Sequence, residues 1–551
     1  KASRPTTTMK GNALVTNVEG SSLAVAGTAN DVLVRVPMVV DNGGALEVFG
    51  KGSPAIYING RKVNDLQELS QLNSGDIKNV EVITNPGASY AADVKSVIRI
   101  RTKPPKGDGF SGILRSDNGF QHYFRTGNSL DLKYRTGGLE IFANYGWWRG
   151  NTRFDRLNDM YTTTSKGTYR QFVSTIGKES YNDMTGKLGF SYMINDRHSI
   201  GAYYQNSWNR HNTDGTIPSE IWQNGILLDL YNSDVHNQST AVPRHYANIY
   251  YNGIVGKLNI DFNADYIWYK SRELTFNNEL SEMGNDREVN TSSINRNRMF
   301  AEKLVMTYPL WKGQIEIGEE YTNTRTTNLF SANIPETPNA DNRVDENNIA
   351  VFAELGQQFG RFMIGAGLRY EHVKFNYYEM GLLRDGQSKT YNNIFPSLNI
   401  ATEVGKVRMG LNYTGKTIRP GYDQLDGAIS YINRLTYETG NPYLKPTKLQ
   451  TVEYMAQWRR FFAQLSFTYF KDGVYHITEP YGPEGEATII RTANLDHRHY
   501  LQAFVGGNFQ VGIWQPKVNI GMMKQWLSLP LNGEQVNMNT PIFMFQWQNA
   551  V

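Results

Sequence analysis

The chain has 551 residues, no Cys and a formal net charge of +4, from 56 Lys plus Arg against 52 Asp plus Glu. The absence of Cys excludes a disulfide scaffold, a thiolate zinc centre and a Cys nucleophile, and the near-balanced charge gives no footing for nucleic-acid binding. There is no run of about 18 apolar residues, which excludes a membrane-spanning helix. Yet 51 Gly, 33 Tyr and 12% aromatic content at only 40% hydrophobic content fit a transmembrane β-barrel, where lipid-facing and lumen-facing residues alternate and cancel in any window average.

In chain order, the sequence opens at Lys1 with no apolar leader, so export has to be read from the body of the chain. Ala55–Ile58 is a short apolar strand closed by the turn signal Asn59-Gly60. Leu66, Leu69 and Leu72 stand three apart, which predicts a helix over Asp65–Leu72 with Asn64 as N-cap. Ile77–Thr84 returns to strand character, Ile98–Thr102 alternates, and Pro104–Gly109 reads as a linker. Residues 1–108 therefore form a small mixed α/β unit.

From residue 109 the pattern is almost entirely alternation. Leu139, Ile141, Ala143, Tyr145 and Trp147 occupy one parity of a run, and Leu258, Ile260, Phe262, Ala264, Tyr266 and Trp268 one parity of another. Phe362, Ile364, Ala366, Leu368 and Tyr370 repeat it against Met363, Arg369 and Glu371, as do Val407, Met409, Leu411 and Tyr413, and Val518, Ile520 and Met522. A soluble sandwich also alternates, but its strands average about five or six residues; these runs reach the nine or so that a tilted membrane strand needs, and many end in Tyr or Trp, as interfacial girdles do. Charges at Arg369, Glu371, Arg408, Asp261 and Asp265 fall on the parity that would face a water-filled lumen. Short turns at Thr136-Gly137-Gly138, Asn195-Asp196 and Phe359-Gly360 alternate with long polar segments at 151–182, 213–243, 275–292 and 331–347, read as loops. Short turns on one side and long loops on the other is the outer-membrane barrel pattern. About eighteen strands fit between Phe110 and Val551. The chain stops within a promising strand at Ile542–Trp547, so roughly four more strands are expected, giving a 22-stranded barrel of the size that encloses a plug.

The first region then resembles the plug of TonB-dependent outer-membrane receptors. The resemblance rests on five segments in order: Asp31–Val39, Leu46–Pro54, Ile56–Val63, Ile77–Tyr90 and Val97–Lys103. A sixth lies in the barrel, at Thr417–Leu425 and Tyr437–Pro446. The chain departs from the family pattern at Phe49-Gly50, at Thr84-Asn85-Pro86, and at Lys95-Ser96, where a Gly pair is usual. The resemblance implies a mainly β fold: a transmembrane antiparallel barrel, 1–30 as an extension leading into a plug at 31–108, and the barrel from 109 to 551. It implies a transporter of the Gram-negative outer membrane that binds a scarce extracellular substrate and imports it by plug gating powered by TonB and its inner-membrane complex. The alternative is a plugged barrel recruited, without transport, to an outer-membrane assembly or export complex. Expected partners are outer-membrane lipid and lipopolysaccharide, a small-molecule, glycan or peptide substrate, and a surface lipoprotein; no TonB-contacting segment is assigned within Lys1–Ala29.

Substrate contacts are expected from the plug apices, at Phe49, Lys51, Asn64, Tyr90 and Asp93, and from Trp208, Trp222 and Tyr231 in or beside the long segments, whose rings suit stacking. No catalytic residues are expected, since no nucleophile elbow occurs, and no cofactor signature is present; Gly50-Lys51-Gly52-Ser53 lacks Walker spacing. His497-Arg498-His499 offers two ligands without a third, and Asp341–Glu346 lacks the Gly and distal Glu of a calcium loop, so no metal site is expected.

Overall fold

The computed structural model describes residues 7–550 apart from 43–44, 64–65, 104–106, 165, 483–486, 510–513 and 532–533. The predicted linker at Pro104–Lys106 and the predicted N-cap Asn64 lie outside the described residues.

The N-terminal unit is built on a six-stranded mixed sheet. Ile77–Ile83 and Val97–Thr102 are its antiparallel centre, and Ala55–Ile58 runs parallel to Val97–Thr102. Leu14, Val32, Leu33, Leu69, Val80, Val82, Ile98 and Ile100 are all at most 1% exposed. Burying each is worth about 1.5–3 kcal/mol, so this unit has a core of its own. The expected boundary at residue 31 falls inside it: Thr7–Lys10 and Ala13–Asn17 are strands of the same sheet, the latter paired with Ile77–Ile83. The helix expected over Asp65–Leu72 is shorter, Gln67–Gln71. Only Leu69 of the three leucines is fully buried, Leu66 being exposed. Leu72 turns extended because Asn73 captures the Gly75 amide at 2.8 Å and starts the next turn, the usual competition of Asn with helix continuation.

Residues 109–550 form a closed barrel. Among the described residues it contains eighteen long strands, the number read from the alternation, with Ile542–Ala550 lying next to Gly109–Gln121. The parity reading holds along Phe362–Glu379: Leu368 and Tyr370 are exposed on the outer face, while Arg369 and Glu371 are each 1% exposed inside. The short turns fall where expected. The long polar segments do not form loops. Residues 151–182 are the upper part of a hairpin of 26 and 29 residues, Leu139–Thr164 and Gly167–Asn195. Residues 213–243 belong to His198–Gln223 and Ile226–Val255, and 275–292 mostly to Leu258–Ser281 and Arg287–Leu310. Within 331–347 the connection is only 333–339. A strand of 26 residues at about 3.3 Å each spans ~86 Å, far beyond an apolar band ~25 Å tall. Ladder pairing satisfies the backbone above the membrane as well as water would, so the strands continue after their side chains turn polar.

Candidate functional site: the plug seat and the chamber above it

The N-terminal unit is held inside the barrel by polar bonds. Strand Thr447–Trp458 points Thr451, Glu453 and Gln457 inward. Glu453, 0% exposed, pairs with Lys51 of the plug at 3.0 Å, and accepts from Thr84 Oγ at 2.6 Å and from its wall neighbour Gln464 at 2.5 Å. Below it, Gln457 accepts from the Met9 amide and donates to the Thr7 carbonyl, both at 2.7 Å, which covers the edge strand of the plug sheet. An open edge would otherwise leave unpaired backbone. Across the lumen, Glu68 of the plug lies between Arg61, an ion-pair partner, and Lys187 of the wall at 3.2 Å. Burial alone raises the Glu68 carboxyl, but the two cations outweigh it and hold it below the ordinary carboxylate range.

A third group reaches the plug apex. Lys303 donates to the Ser89 carbonyl at 2.5 Å, and Glu320 bridges Lys303 at 3.7 Å and Arg369 at 3.3 Å. Arg369 bonds Glu371 at 2.6 Å, and Glu371 also pairs with Arg419 and accepts from the Ala92 amide at 3.3 Å. Asn85 accepts from Thr414 at 2.5 Å. Gly87 sits so close to the wall that a Cβ would lie 2.5 Å from Glu354 Oε2, so a larger residue there obliges the Glu354 carboxylate to move.

The barrel segment singled out by its motif folds inward as a strap across the lumen. Arg419 begins it, the helix Tyr422–Leu425 follows, and the strands Ile429–Asn433 and Thr436–Thr439 form a hairpin that pairs in parallel with Ala487–Asn508. Leu425 and Leu444 pack on Val344, Phe375 and Tyr377 of the wall. Arg434 at the hairpin tip holds Glu279 at 2.7 Å and Asp229 at 3.1 Å. Gly440 is required by close approach: a Cβ there would lie 2.3, 2.6 and 2.8 Å from the carbonyls of Asp426, Gln424 and Asp423. The strap and the wall line a cavity of about 190 Å³ between Tyr169, Gln171, Leu435, Thr436 and Ile490.

The family model described as the outer membrane protein beta-barrel family matches residues 255–551, more than half of this chain. The chain belongs to that family. It is a multi-pass barrel of the Gram-negative outer membrane. No curated protein matches it. Among solved structures it is similar to the siderophore receptor PirA from Pseudomonas aeruginosa, at TM-score 0.55 and 14% identity over 98% of this chain and 92% of that one. It is similar to the copper transporter OprC, at 0.61 and 13% over 95% and 80%. It is also similar to the alcaligin outer-membrane receptor FauA from Bordetella pertussis, at 0.51 and 10% over 98% and 84%. At such identities the likeness is one of fold: the plug-and-barrel fold of TonB-dependent receptors.

The structure of this outer-membrane barrel places the expected contact residues in different locations. Phe49 and Lys51 do not face solvent: Phe49, 4% exposed, packs on Phe504 with centroids 4.9 Å apart, and Lys51 is the partner of Glu453. Both anchor the plug to the wall. Tyr90 is half-buried edge-on to Tyr57 at 5.7 Å, with Arg99 and Lys303 near its ring. Asp93 is exposed at the apex. Trp208 is exposed on its strand, and Trp222 is half-buried with its indole N–H on Glu220 at 3.0 Å. Tyr231, 3% exposed, accepts from Gln171 at 2.9 Å and lies beneath Arg434, 4.7 Å from its ring centroid, so it belongs to the strap's anchor. Glu453, Arg419 and Arg434 were not anticipated, although an inward-parity Glu flanked by Val452 and Tyr454 was a usable signal. Asp265 faces inward, accepting from Tyr246 and Asn248 at 2.6 Å each, whereas Arg408 pairs with Glu403 at 3.1 Å beside a short turn.

Proposed function

We propose that this protein is an outer-membrane importer: it captures an extracellular substrate in the chamber above the plug, and TonB-coupled displacement of the plug lets the substrate pass. The observation that carries this reading is the chemistry of the plug seat. The plug has its own apolar core, while much of its hold on the wall is ionic or hydrogen-bonded, through Glu453, Glu68, Lys303, Glu371 and Gln457. Such bonds exchange for water when the plug moves; the apolar part of the seat centres on Phe49 against Phe504, in one cluster with Phe462 and Met455 of the wall. The folds of PirA, FauA and OprC, named as a siderophore receptor, an alcaligin receptor and a copper transporter, support the same reading; Asp93 and Tyr90 remain the plug residues proposed to meet substrate.

The absence of Cys allows a clean test. Asn85→Cys with Thr414→Cys places two thiols where the side chains already touch. Oxidation should abolish substrate-dependent growth, reductant should restore it, and loss of TonB should mimic the locked state. A phenotype that persists with the plug locked and TonB deleted would instead favour a structural role in an assembly or export complex.

A further inference from the structure

Several lumenal cations near the plug have a carboxylate partner: Lys51 with Glu453, Arg61 and Lys187 with Glu68, Lys303 and Arg369 with Glu320, Arg419 with Glu371. Lys95 and Arg498 differ. Lys95 stands at the plug apex, with Nζ 3.7 Å from where a Cβ on Gly52 would lie; among the described residues it has neither an ion pair nor a hydrogen bond. Burial lowers its amine, and repulsion from Lys51 and Arg498 lowers it further, against the attraction of Glu47. Gly50, two residues before Gly52, abuts Gln502 of the wall, and the strand Ala487–Asn508 carries Arg498 four residues from Gln502 on the same parity. Arg498 projects from that wall strand, and among the described residues its one hydrogen bond is to the neutral Gln525 at 3.4 Å. Its Nε has no hydrogen-bond partner among the described residues, nor has the hydroxyl of Tyr475.

Three rings surround this guanidinium: Phe470 at 4.2 Å, Tyr475 at 5.5 Å and Tyr500 at 5.6 Å from the guanidinium carbon to the ring centroids. Two cations with no ion pair among the described residues, one on the plug and one on the wall strand beside it, call for an anion. A cluster of rings beside them favours an anion that is itself flat and apolar on its faces. We propose that Lys95 and Arg498, walled by Phe470, Tyr475 and Tyr500, form a binding site for an aromatic carboxylate. The carboxylate bridges the plug cation and the wall cation, and the ring stacks within the aromatic cluster. This deepens the importer reading by assigning a chemical class to its substrate, and it ties ligand capture to the plug because one of the two charges belongs to the plug.

The test reads binding alone. The detergent-solubilised full chain is acetylated with N-acetoxysuccinimide, an uncharged reagent, and the rate at Lys95 is followed by peptide mass spectrometry, with Lys257 in a short turn as an internal standard. Sodium benzoate should slow acetylation of Lys95 by about fivefold or more at saturation, while benzylamine and sodium phosphate leave it nearly unchanged. Arg498→Gln should abolish the protection, and Tyr475→Leu, which keeps both charges, should weaken it. Heat-modifiable gel migration checks that each variant is folded. Equal protection by benzoate and benzylamine, protection by phosphate as strong as that by benzoate, or full protection in Arg498→Gln would overturn the proposal. The locked-plug experiment reads transport without reference to ligand class, so the two readings fail separately.

Discussion

Breaking the Lys51–Glu453 pair should be strongly asymmetric. Glu453→Gln leaves the Lys51 ammonium, on a side chain 7% exposed, with neutral acceptors alone, the introduced amide oxygen and Ser466 at 3.4 Å. Removing one partner of a buried pair costs about 3–5 kcal/mol, roughly 10² to 5 × 10³ in the equilibrium for seating the plug. Lys51→Met is milder, about 1–3 kcal/mol, because Glu453 keeps Thr84 at 2.6 Å and Gln464 at 2.5 Å as donors. The double variant should cost less than the sum by about 0.5–3 kcal/mol, as contacting residues do. With no native Cys, Val25→Cys, at a plug position 82% exposed, accepts one environment-sensitive fluorophore, and urea titration in detergent then reports plug release. Strict additivity of the two single variants, or a larger cost for Lys51→Met than for Glu453→Gln, would refute this account of the seat.

Leu368→Arg places a charge on the outer face about six residues above a short turn, ~15 Å up a tilted strand and so near the bilayer midplane; it should cost about 2–4 kcal/mol. Met363→Arg, on the lumen parity beside Gly11 of the plug, should cost much less, and equal effects in a denaturant titration from lipid vesicles would contradict the facing assignment. Glu68 has its carboxyl held below the ordinary 4.5, so its contribution to seating the plug is present above that pH and is lost as the pH falls through the depressed value. Glu68→Gln should flatten the acid limb of plug release measured with the same fluorophore. Arg434→Met leaves Glu279, 1% exposed, without its guanidinium. Hydrogen exchange over 429–439 should then accelerate by about 10²-fold, from the ~3 kcal/mol that an unpaired buried carboxylate costs, while exchange in Thr447–Trp458 stays unchanged.

The sequence alone determined the architecture, because in a barrel each side chain's environment follows from its parity. Leu368 and Arg369 are neighbours in the chain yet meet lipid and lumen respectively, and the alternation that separates them is visible without coordinates. The same rule carried the strand count and the short turns. It misread 151–182, 213–243 and 275–292 as loops because a strand above the membrane has water on its outer face and loses the apolar half of the pattern, although its backbone pairs as before. The functional geometry was decided only by tertiary structure. Phe49 and Lys51 read as apex residues until two wall strands more than four hundred positions away supplied Phe504 and Glu453. Lys95 was legible as a departure from a Gly pair, but its meaning came from the wall strand that meets Gly50 and carries Arg498 among its rings. Parity states which residues face the lumen; closing the barrel around the plug decides which of them meet, since charge pairing across the lumen depends on strand stagger and plug orientation rather than on any local pattern.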